Sequence, residues 1–533
     1  MASIASSAGA FASLPARQSV WLRWLVPSFS DLFFVSVLVW LFVAGSGGWT
    51  SLLLDGDAGW HIRVGEYVLD NGKVPSADLF SFTRPGEVWY AWEWLSDVVY
   101  GGVHRVAGLK GVVLVAGVVI ALFAVVLFRH VLWAGANLFA AMPVVLLAVG
   151  ASTLHHLARP HVFTLLFFAA SLWLIDRDRR RADRWVWVLI PVSVVWTNLH
   201  GGFFALVATL GLLTVGTAAE EWVGSRTWTR PLRYALLSAG CLAASVVNPF
   251  GIQLHLHIAS YLRSDWIRNM VQEFQSPNFR SENLLQAQAL LFMGLMAAAL
   301  LLSRRRFVEV LWILFWAHSA LGSARHVPLF AIVAAPVIAF ELTRLWNWTF
   351  ATAAPRSLGR ILADLAADNT PGAGRVTVWA LAPALLLVLP LDSRWPKDFP
   401  EAAFPVDIVN RYQERLIAGR VFTSDQWADY LIYRSYPRQR VFIDGRSDFF
   451  GPELGNEYLQ ASHAQWRWRE ILDKYRIDTV LGPPDWPLIT LLKGHRDWQL
   501  ITDSGKAVLL SRRRAADRPG GIQRDASRPN DNR

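Results

Sequence analysis

The sequence predicts an α-helical polytopic membrane protein that ends in a small α/β domain. The 533-residue chain is 53% hydrophobic and only 17% charged. Apolar runs of about 20 residues, the length that spans a bilayer as a helix, recur along most of the chain. After about residue 392 they give way to the mixed patterns of strands and short helices that are typical of soluble domains.

The apolar runs predict about eleven transmembrane helices. Arginines gather in every second loop between these runs, as in 177–184 and 304–306. Because positive loops stay in the cytoplasm, we predict a cytoplasmic N-terminal segment at 1–31 and a transmembrane domain at 32–392, followed by an extracytoplasmic chain. The predicted spans lie near 32–54, 109–134, 137–154, 160–176, 185–198, 202–219, 232–248, 285–302, 307–321, 326–342 and 376–391.

The net charge of +10 does not indicate a nucleic-acid partner. Arginine in short loops between apolar runs accounts for much of this charge by orienting the protein in the lipid bilayer. The single cysteine, Cys241, can form no intramolecular disulfide and lies in an apolar run, where we expect it to fill the core.

The first outer loop, 55–108, begins with the motif Asp-Gly-Asp-Ala-Gly-Trp-His. Carboxylates at a membrane boundary cost free energy unless they face water, a metal or a ligand, so Asp55 and Asp57 are candidate functional residues. A helix starting at Asp57 would put His61 on the same face, as in a carboxylate–imidazole pair or, with Asp55, a divalent-metal site. The alternative is that one aspartate only caps this helix, which we predict to lie on the membrane surface with its aromatic side down.

Other polar residues occur on the same predicted outer face. Arg159 and Arg325 carry a guanidinium that suits phosphate, although each could instead extend to lipid headgroups. Glu93 lies among tryptophans at the end of the first loop, where it is either a second site carboxylate or an interfacial residue in water. The loops on the predicted outer face differ in composition from the arginine-rich inner loops, and this difference favours one outward-facing cavity. Its further candidate residues are His156, His161, Asn198, His200, Glu273 and His326.

The mixed strand and helix patterns of residues 393–512 predict an extracytoplasmic α/β domain. We expect helices near 404–417 and 464–476. In the run Asp444-Gly445-Arg446-Ser447-Asp448, the Asp-Gly pair indicates a turn, with a ligand contact at a strand end as the alternative. The tail, 513–533, is rich in arginine, proline and asparagine and is predicted to be disordered. The predicted strands are 419–423, 440–443, 479–482, 498–502 and 507–510.

Several motifs together resemble those of a group of largely uncharacterised bacterial membrane proteins placed near the GT-C glycosyltransferases. The resemblance runs from about residue 50 to about 485 and implies a GT-C-like transmembrane domain. The motifs are Asp55-Gly-Asp57 with Trp60-His61-Ile62 and Gly65-Glu66, Trp92-Glu93-Trp94-Leu95, Arg159-Pro160-His161, Asn198-Leu199-His200-Gly201-Gly202, Asn248-Pro249-Phe250-Gly251, Arg325-His326 and Phe442-Ile443-Asp444-Gly445-Arg446.

The characterised relatives of that group include protein mannosyltransferases and the aminoarabinose transferase of lipid A. They take sugar from a polyprenyl-phosphate carrier and use acidic residues of the first outer loop. The resemblance therefore implies that Asp55 or Asp57 is the catalytic carboxylate. Together with the predicted topology, the resemblance also makes Glu93 a second acid and Arg159 and Arg325 phosphate partners.

The predicted function is transfer of a hexosyl or pentosyl group from a polyprenyl-phosphate carrier to a glycan, lipid or protein acceptor. We expect this reaction at the outer face of the bacterial cytoplasmic (inner) membrane, with a divalent metal ion as an open option. Two other classes fit the sequence: a transporter or flippase of a lipid-linked glycan, and a non-catalytic envelope scaffold.

Overall fold

The computed structural model describes residues 24–44, 48–224, 226–281, 284–354, 356–388 and 395–513. Most of the predicted cytoplasmic segment and nearly all of the predicted disordered tail lie outside these residues. The chain is mostly helical, with a small sheet near its C-terminus. The helices before residue 395 are Phe29–Val39, Asp57–Asn71, Trp94–Ala134, Leu138–Ala151, His161–Arg180, Leu189–Leu199, Phe204–Val223, Thr229–Ala244, Ile252–Arg263, Asp265–Met270, Leu285–Ser303, Phe307–Gly322, Val327–Phe350, Leu358–Ala373 and Ala382–Val388.

Within the described residues, four helices are long and apolar enough to cross a membrane. The count of about eleven spans stays a prediction, because several apolar helices are shorter than a bilayer requires and the end of the 376–391 run is not described. The four long spans are Trp94–Ala134, Gly201–Val223, Leu285–Ser303 and Ala324–Phe350, and the shorter apolar helices are Phe29–Val43, Leu138–Ala151, Arg184–Leu199 and Phe307–Gly322.

The first of these four long helices, Trp94–Ala134, begins well before the predicted start of its span at 109. Its backbone breaks at Gly108, where φ is 59° and ψ is −154°. Glycine tolerates this left-handed φ because it has no Cβ. The predicted first outer loop therefore contains the Asp57–Asn71 helix and also the first turns of this long helix, which carry Glu93 at their N-cap.

The C-terminal unit contains a four-stranded sheet in the order β1-β2-β4-β3, in which β1 runs parallel to β2 and the other neighbours are antiparallel. Four of the five predicted strands match it. The fifth, 440–443, is not a strand of this sheet, because Val441 pairs with Ser81 of the first loop instead. The strands are β1 (Val421–Phe422), β2 (Thr479–Gly482), β3 (Trp498–Asp503) and β4 (Val508–Arg512), and the helices are Val406–Ala418, Asp425–Ser435, Ser447–Ser462, Trp468–Lys474 and Pro487–Lys493.

The C-terminal unit packs directly on the first loop. The Asp425–Ser435 helix lies against the Asp57–Asn71 helix so closely that a Cβ added at Gly59 would overlap the carbonyl oxygen of Asp429. Trp60 is buried, with its ring 6.1 Å from that of Trp89. The predicted placement of this helix on the membrane surface is therefore wrong at Trp60, because protein covers the aromatic side.

The predicted turn at Asp444-Gly445 is part of a buried anchor between the same two regions. Arg446 binds Asp78 of the first loop at 2.7 Å and Asp444 at 2.6 Å. All three side chains are buried, so each charge is compensated by its partners rather than by water. This anchor fixes Gly445 beside the residues that open the first loop.

Candidate active site

A cavity of about 310 Å³ lies where the first loop, the C-terminal unit and the ends of several apolar helices meet. We call it the acidic cavity. Five carboxylates and three arginines line it, together with the rings of Trp60, Trp89, Tyr90 and Trp92. A concave space that combines aromatic walls with convergent charged groups is the usual form of a small-molecule site.

Arg159 lies at the centre of the charged groups. Its guanidinium contacts three carboxylates: Asp55 at 2.7 Å, Asp57 at 2.6 Å and Glu273 at 3.1 Å. Arg159 immediately precedes Pro160, the N-cap of the His161–Arg180 helix, and its carbonyl accepts a hydrogen bond from the Tyr100 hydroxyl. Burial alone would lower the pKa of Arg159, but the surrounding carboxylates raise it well above its usual value.

Asp55 and Asp57 have different positions around this guanidinium. Asp55 Oδ1 accepts the backbone N–H of Asp57 at 3.0 Å, while its Oδ2 binds Arg159; the N-cap of the helix is Gly56, so neither aspartate is the N-cap residue. Asp57 lines the cavity and is buried. That burial raises the pKa of Asp57 to about 7, against the opposing effect of Arg159.

Asp57 also pairs with Asp429 of the C-terminal unit. A Cβ added at Gly445 would overlap Asp57 Oδ1 and would contact Asp429 Oδ2, so both oxygens lie against the same glycine. Neither oxygen accepts a hydrogen bond from an N–H of the described residues. Burial and the charge of Asp57 raise the pKa of Asp429 well above its usual value. When protonated, Asp429 would donate a hydrogen bond to Asp57, while its other oxygen accepts the Gly445 N–H at 3.1 Å.

Glu93 lies across the cavity between two histidines. Its carboxylate is 3.7 Å from His61 Nε2 and 3.4 Å from His200 Nε2. His200 Nδ1 accepts the Gly202 N–H, so the neutral ring carries its hydrogen on Nε2, towards Glu93. Burial raises the pKa of Glu93 to about 8, which keeps much of it protonated near neutral pH.

Glu273 and Arg325 complete the charged wall. They are 3.9 Å apart, and the Arg325 guanidinium stacks 4.3 Å from the centre of the Phe274 ring. Burial alone would raise the pKa of Glu273, but the charges of Arg159 and Arg325 lower this pKa to about 2. Glu273 is therefore an anion that both arginines share.

The cavity brings together most of the predicted site residues. His161 and His326 line it with Asp57, Glu93, Arg159, His200, Glu273 and Arg325. Asn198 lies outside the cavity and ties helices together through Trp94 and the carbonyl of Val247.

His61 and His156 also lie outside the cavity lining. His61 lies behind Glu93, and its Nδ1 contacts the buried Asp97 at 2.6 Å. His156 is buried, and its ring nitrogens have no hydrogen-bond partner in the part of the chain that the structure describes.

The metal option does not fit this arrangement. Arg159 takes the position between Asp55, Asp57 and Glu273 in which these carboxylates would hold a cation. His61 is turned to Asp97. Among the described residues, no group of three histidine, cysteine or carboxylate side chains is placed to hold a metal ion.

Asp448 lines the cavity, and its carboxylate contacts His257 at 2.9 Å. It ends the run from Asp444, for which a ligand contact was the alternative to a turn. Sequence reasoning missed Asp429. Asp429 lies in a helix with no motif of its own, so only the folded arrangement brings it to Asp57.

No protein-family model and no curated protein sequence matches the chain. Solved structures of the oligosaccharyltransferase AglB from Archaeoglobus fulgidus are similar in fold. Its complex with an inhibitory peptide and a dolichol-phosphate aligns over 92% of this chain and 74% of that chain, at 11% identity and a TM-score of 0.52. The apo form aligns over 92% and 75% at 10% identity and a TM-score of 0.53.

A third structure of that enzyme, tethered to an acceptor peptide with the NVT sequon, aligns over 95% of this chain and 75% of that chain at 11% identity and a TM-score of 0.52. That oligosaccharyltransferase has a GT-C fold. The predicted GT-C-like fold of this membrane protein is therefore supported over nearly its whole length.

Proposed function

We propose that this protein is a membrane glycosyltransferase that takes a sugar from a polyprenyl-phosphate carrier, with Asp57 as the catalytic base. The observation that carries the proposal is the gathering of Asp57, Glu93, Arg159 and Arg325 in one aromatic-walled cavity. The fold shared with an oligosaccharyltransferase that has been solved with dolichol-phosphate supports the same class of donor.

Asp57 is better suited to the role of base than Asp55. The pKa of Asp57, about 7, lies near neutral pH, where a general base works best. Asp55 instead accepts the backbone N–H of Asp57 and binds Arg159. Asp57 would take the proton of an acceptor hydroxyl while that oxygen attacks the anomeric carbon of the sugar.

Arg159 and Arg325 would receive the leaving group. As the bond from the anomeric carbon to the phosphate oxygen breaks, the electron pair and negative charge pass to the polyprenyl phosphate. Guanidinium groups suit this charge because they donate paired hydrogen bonds to phosphate oxygens. The acceptor oxygen would attack the anomeric carbon from the side opposite to the departing phosphate, so the reaction would invert the configuration at this carbon.

Glu93 would bind the sugar rather than act as a base. Because its pKa is raised to about 8, it is largely protonated near pH 7 and can donate a hydrogen bond to a sugar oxygen. The rings of Trp89 and Trp92 offer apolar faces for the sugar.

We propose that the reaction takes place at the outer face of a bacterial cytoplasmic membrane, because the arginine-rich loops lie at the other helix ends. The proposed acceptor is a glycan, lipid or protein.

The test is transfer by the purified full-length protein, supplied with radiolabelled polyprenyl-phosphate hexoses and pentoses and an acceptor extract. Asp57→Asn should lower the transfer rate by about 10²- to 10⁴-fold, the usual contribution of a general base. Donor binding should be retained, because the arginines remain. Unchanged transfer by Asp57→Asn would remove Asp57 as the base.

A matched control lies on the same helix. Asp70 is exposed and pairs with Arg105 at the surface, so Asp70→Asn should leave transfer unchanged.

A vesicle assay tests the alternative that the protein is a flippase. Movement of labelled donor across the bilayer without loss of sugar, equal in wild type and Asp57→Asn, would overturn the proposed transferase.

A further inference from the structure

A second cavity, of about 900 Å³, lies at the opposite end of the helices that form the acidic cavity. We call it the arginine cavity. The His161–Arg180 helix contributes His161 to the acidic cavity and Arg179 to the arginine cavity. At 1.5 Å per residue these positions are about 27 Å apart along the helix, close to the thickness of a bilayer core. Neither the sequence motifs nor the proposed reaction uses this second cavity.

The arginine cavity carries an excess of positive charge. Six arginines line it against four carboxylates. Glu341 is shared between Arg304 at 2.6 Å and Arg344 at 3.5 Å. One carboxylate cannot neutralise two guanidinium groups, so this part of the wall has a positive charge to offer to an anion.

The other charged groups do not remove this excess. Arg179 and Arg306 are balanced by Asp176 and Glu309, and Arg230 is balanced by Glu220. Arg180 donates to the carbonyl oxygen of Trp133 at the end of a helix rather than to a carboxylate. The exposed fractions of Arg304 and Arg344 are 35% and 49%, so a ligand can reach both side chains.

The rest of the wall is apolar. Leu172, Leu301, Val333, Val337 and Phe340 line the cavity beside the arginines. A free inorganic anion would leave this apolar wall against water. A ligand that has a phosphate head and a hydrocarbon chain would satisfy both parts, and basic pockets between transmembrane helices commonly bind anionic lipid headgroups.

We propose that the arginine cavity is a binding site for a phosphate-bearing lipid, whose headgroup lies between Arg304 and Arg344 and whose chain follows the apolar wall. This site is separate from the proposed transfer site and does not depend on the proposed function. The shared recognition chemistry is arginine with phosphate oxygens. A soluble phosphate compound would use the same arginines but not the apolar wall.

The test measures lipid binding to the full-length protein by native mass spectrometry, with dioleoyl-phosphatidylglycerol as the probe and dioleoyl-phosphatidylcholine as the lipid of no net charge. The double variant Arg304→Gln/Arg344→Gln should weaken binding of the anionic probe by about tenfold or more. Arg360→Gln is the matched control, because Arg360 is exposed, pairs with Asp364 and does not line the cavity.

A variant with the opposite expected sign guards against misfolding. Glu341→Gln removes the carboxylate that both arginines share, so it should strengthen phosphatidylglycerol binding. The proposal is overturned if Arg304→Gln/Arg344→Gln binds like Arg360→Gln, or if Glu341→Gln weakens binding. Full displacement of the probe by an equal concentration of inorganic phosphate would overturn the lipid assignment in favour of a soluble phosphate ligand.

Discussion

The two ends of the helix bundle have opposite charge arrangements. In the acidic cavity one arginine, Arg159, is surrounded by three carboxylates. In the arginine cavity one carboxylate, Glu341, lies between two arginines. Both arrangements pair guanidinium groups with carboxylates. Negative charge is in excess around Arg159, and positive charge is in excess around Glu341.

This difference determines what each end can do. Crowded, buried carboxylates have raised pKa values, as at Asp57 and Glu93, so protons can move at neutral pH. Crowded arginines keep their protons at any physiological pH and can only bind anions. The acidic end is therefore suited to proton transfer and the other end to anion recognition.

The largest expected effect comes from removing the central arginine at the acidic end. Arg159→Met removes the arginine that pairs with Asp55 and Asp57 and leaves Glu273 with Arg325, so we expect an unfolding free-energy loss of about 2–4 kcal/mol at pH 7 and loss of transfer. Arg179→Met is the counterpart at the other end. Its partners Asp176 and Glu309 keep His130 and Arg306, so we expect a smaller loss.

Denaturation of both variants in mixed micelles measures this difference. The Arg159→Met deficit should shrink as the pH falls to about 5, because protonation relieves the unpaired carboxylates. Unpaired carboxylates have raised pKa values in the folded state, so their protonated forms favour folding at low pH. An equal or larger deficit in Arg179→Met would contradict the comparison.

A smaller effect is expected from Gly445, where the C-terminal unit meets the acidic cavity. Gly445→Ala would place a methyl group on Asp57 Oδ1 and push this carboxylate out of position. We expect transfer to fall by about 10²-fold, the cost of displacing a reacting group by about 1 Å.

Gly211→Ala is the control for this change, because a Cβ at that helical position meets nothing within 4 Å. It should retain wild-type transfer. Wild-type transfer by Gly445→Ala would show that Asp57 does not need its place beside the C-terminal unit.

Sequence reasoning predicts one kind of feature in this protein well. Apolar runs, strand patterns and arginine-rich loops depend on nearby residues, so β2, β3, β4 and most apolar helices match their predicted ranges. The motif Arg159-Pro160-His161 similarly carries its own signal, a guanidinium at a helix start. The prediction that Arg159 lies near Asp57 depends on the predicted topology, and in the structure the guanidinium of Arg159 contacts the carboxylate of Asp57.

Other features depend on contacts between distant segments and leave no local signal. Residues 440–443 have the pattern of a sheet strand but pair with the first loop, because Val441 reaches Ser81. The partnership of Asp57 with Asp429 and Gly445 brings together residues that are far apart in the chain. Only the folded positions show that Asp57 lines the cavity while Asp55 pairs with Arg159 beside it.

The smallest effect is expected from Asp429, through the pH dependence of transfer. Transfer requires ionised Asp57, so the wild-type rate should rise with pH through about 7. Asp429→Asn should leave this profile nearly unchanged. The Asn side-chain oxygen can accept the Gly445 N–H as Asp429 does, and its amide can donate to Asp57.

Asp429→Leu fills the same space but removes the hydrogen bond that stabilises ionised Asp57. It should therefore raise the pKa of Asp57 and move the rising limb to higher pH, so that the ratio of the rate at pH 6 to the rate at pH 8 falls by about threefold compared with wild type. A merely structural role for Asp429 would lower the rate equally at every pH in both variants. Coincident profiles for Asp429→Leu and wild type would mean that Asp429 does not stabilise ionised Asp57.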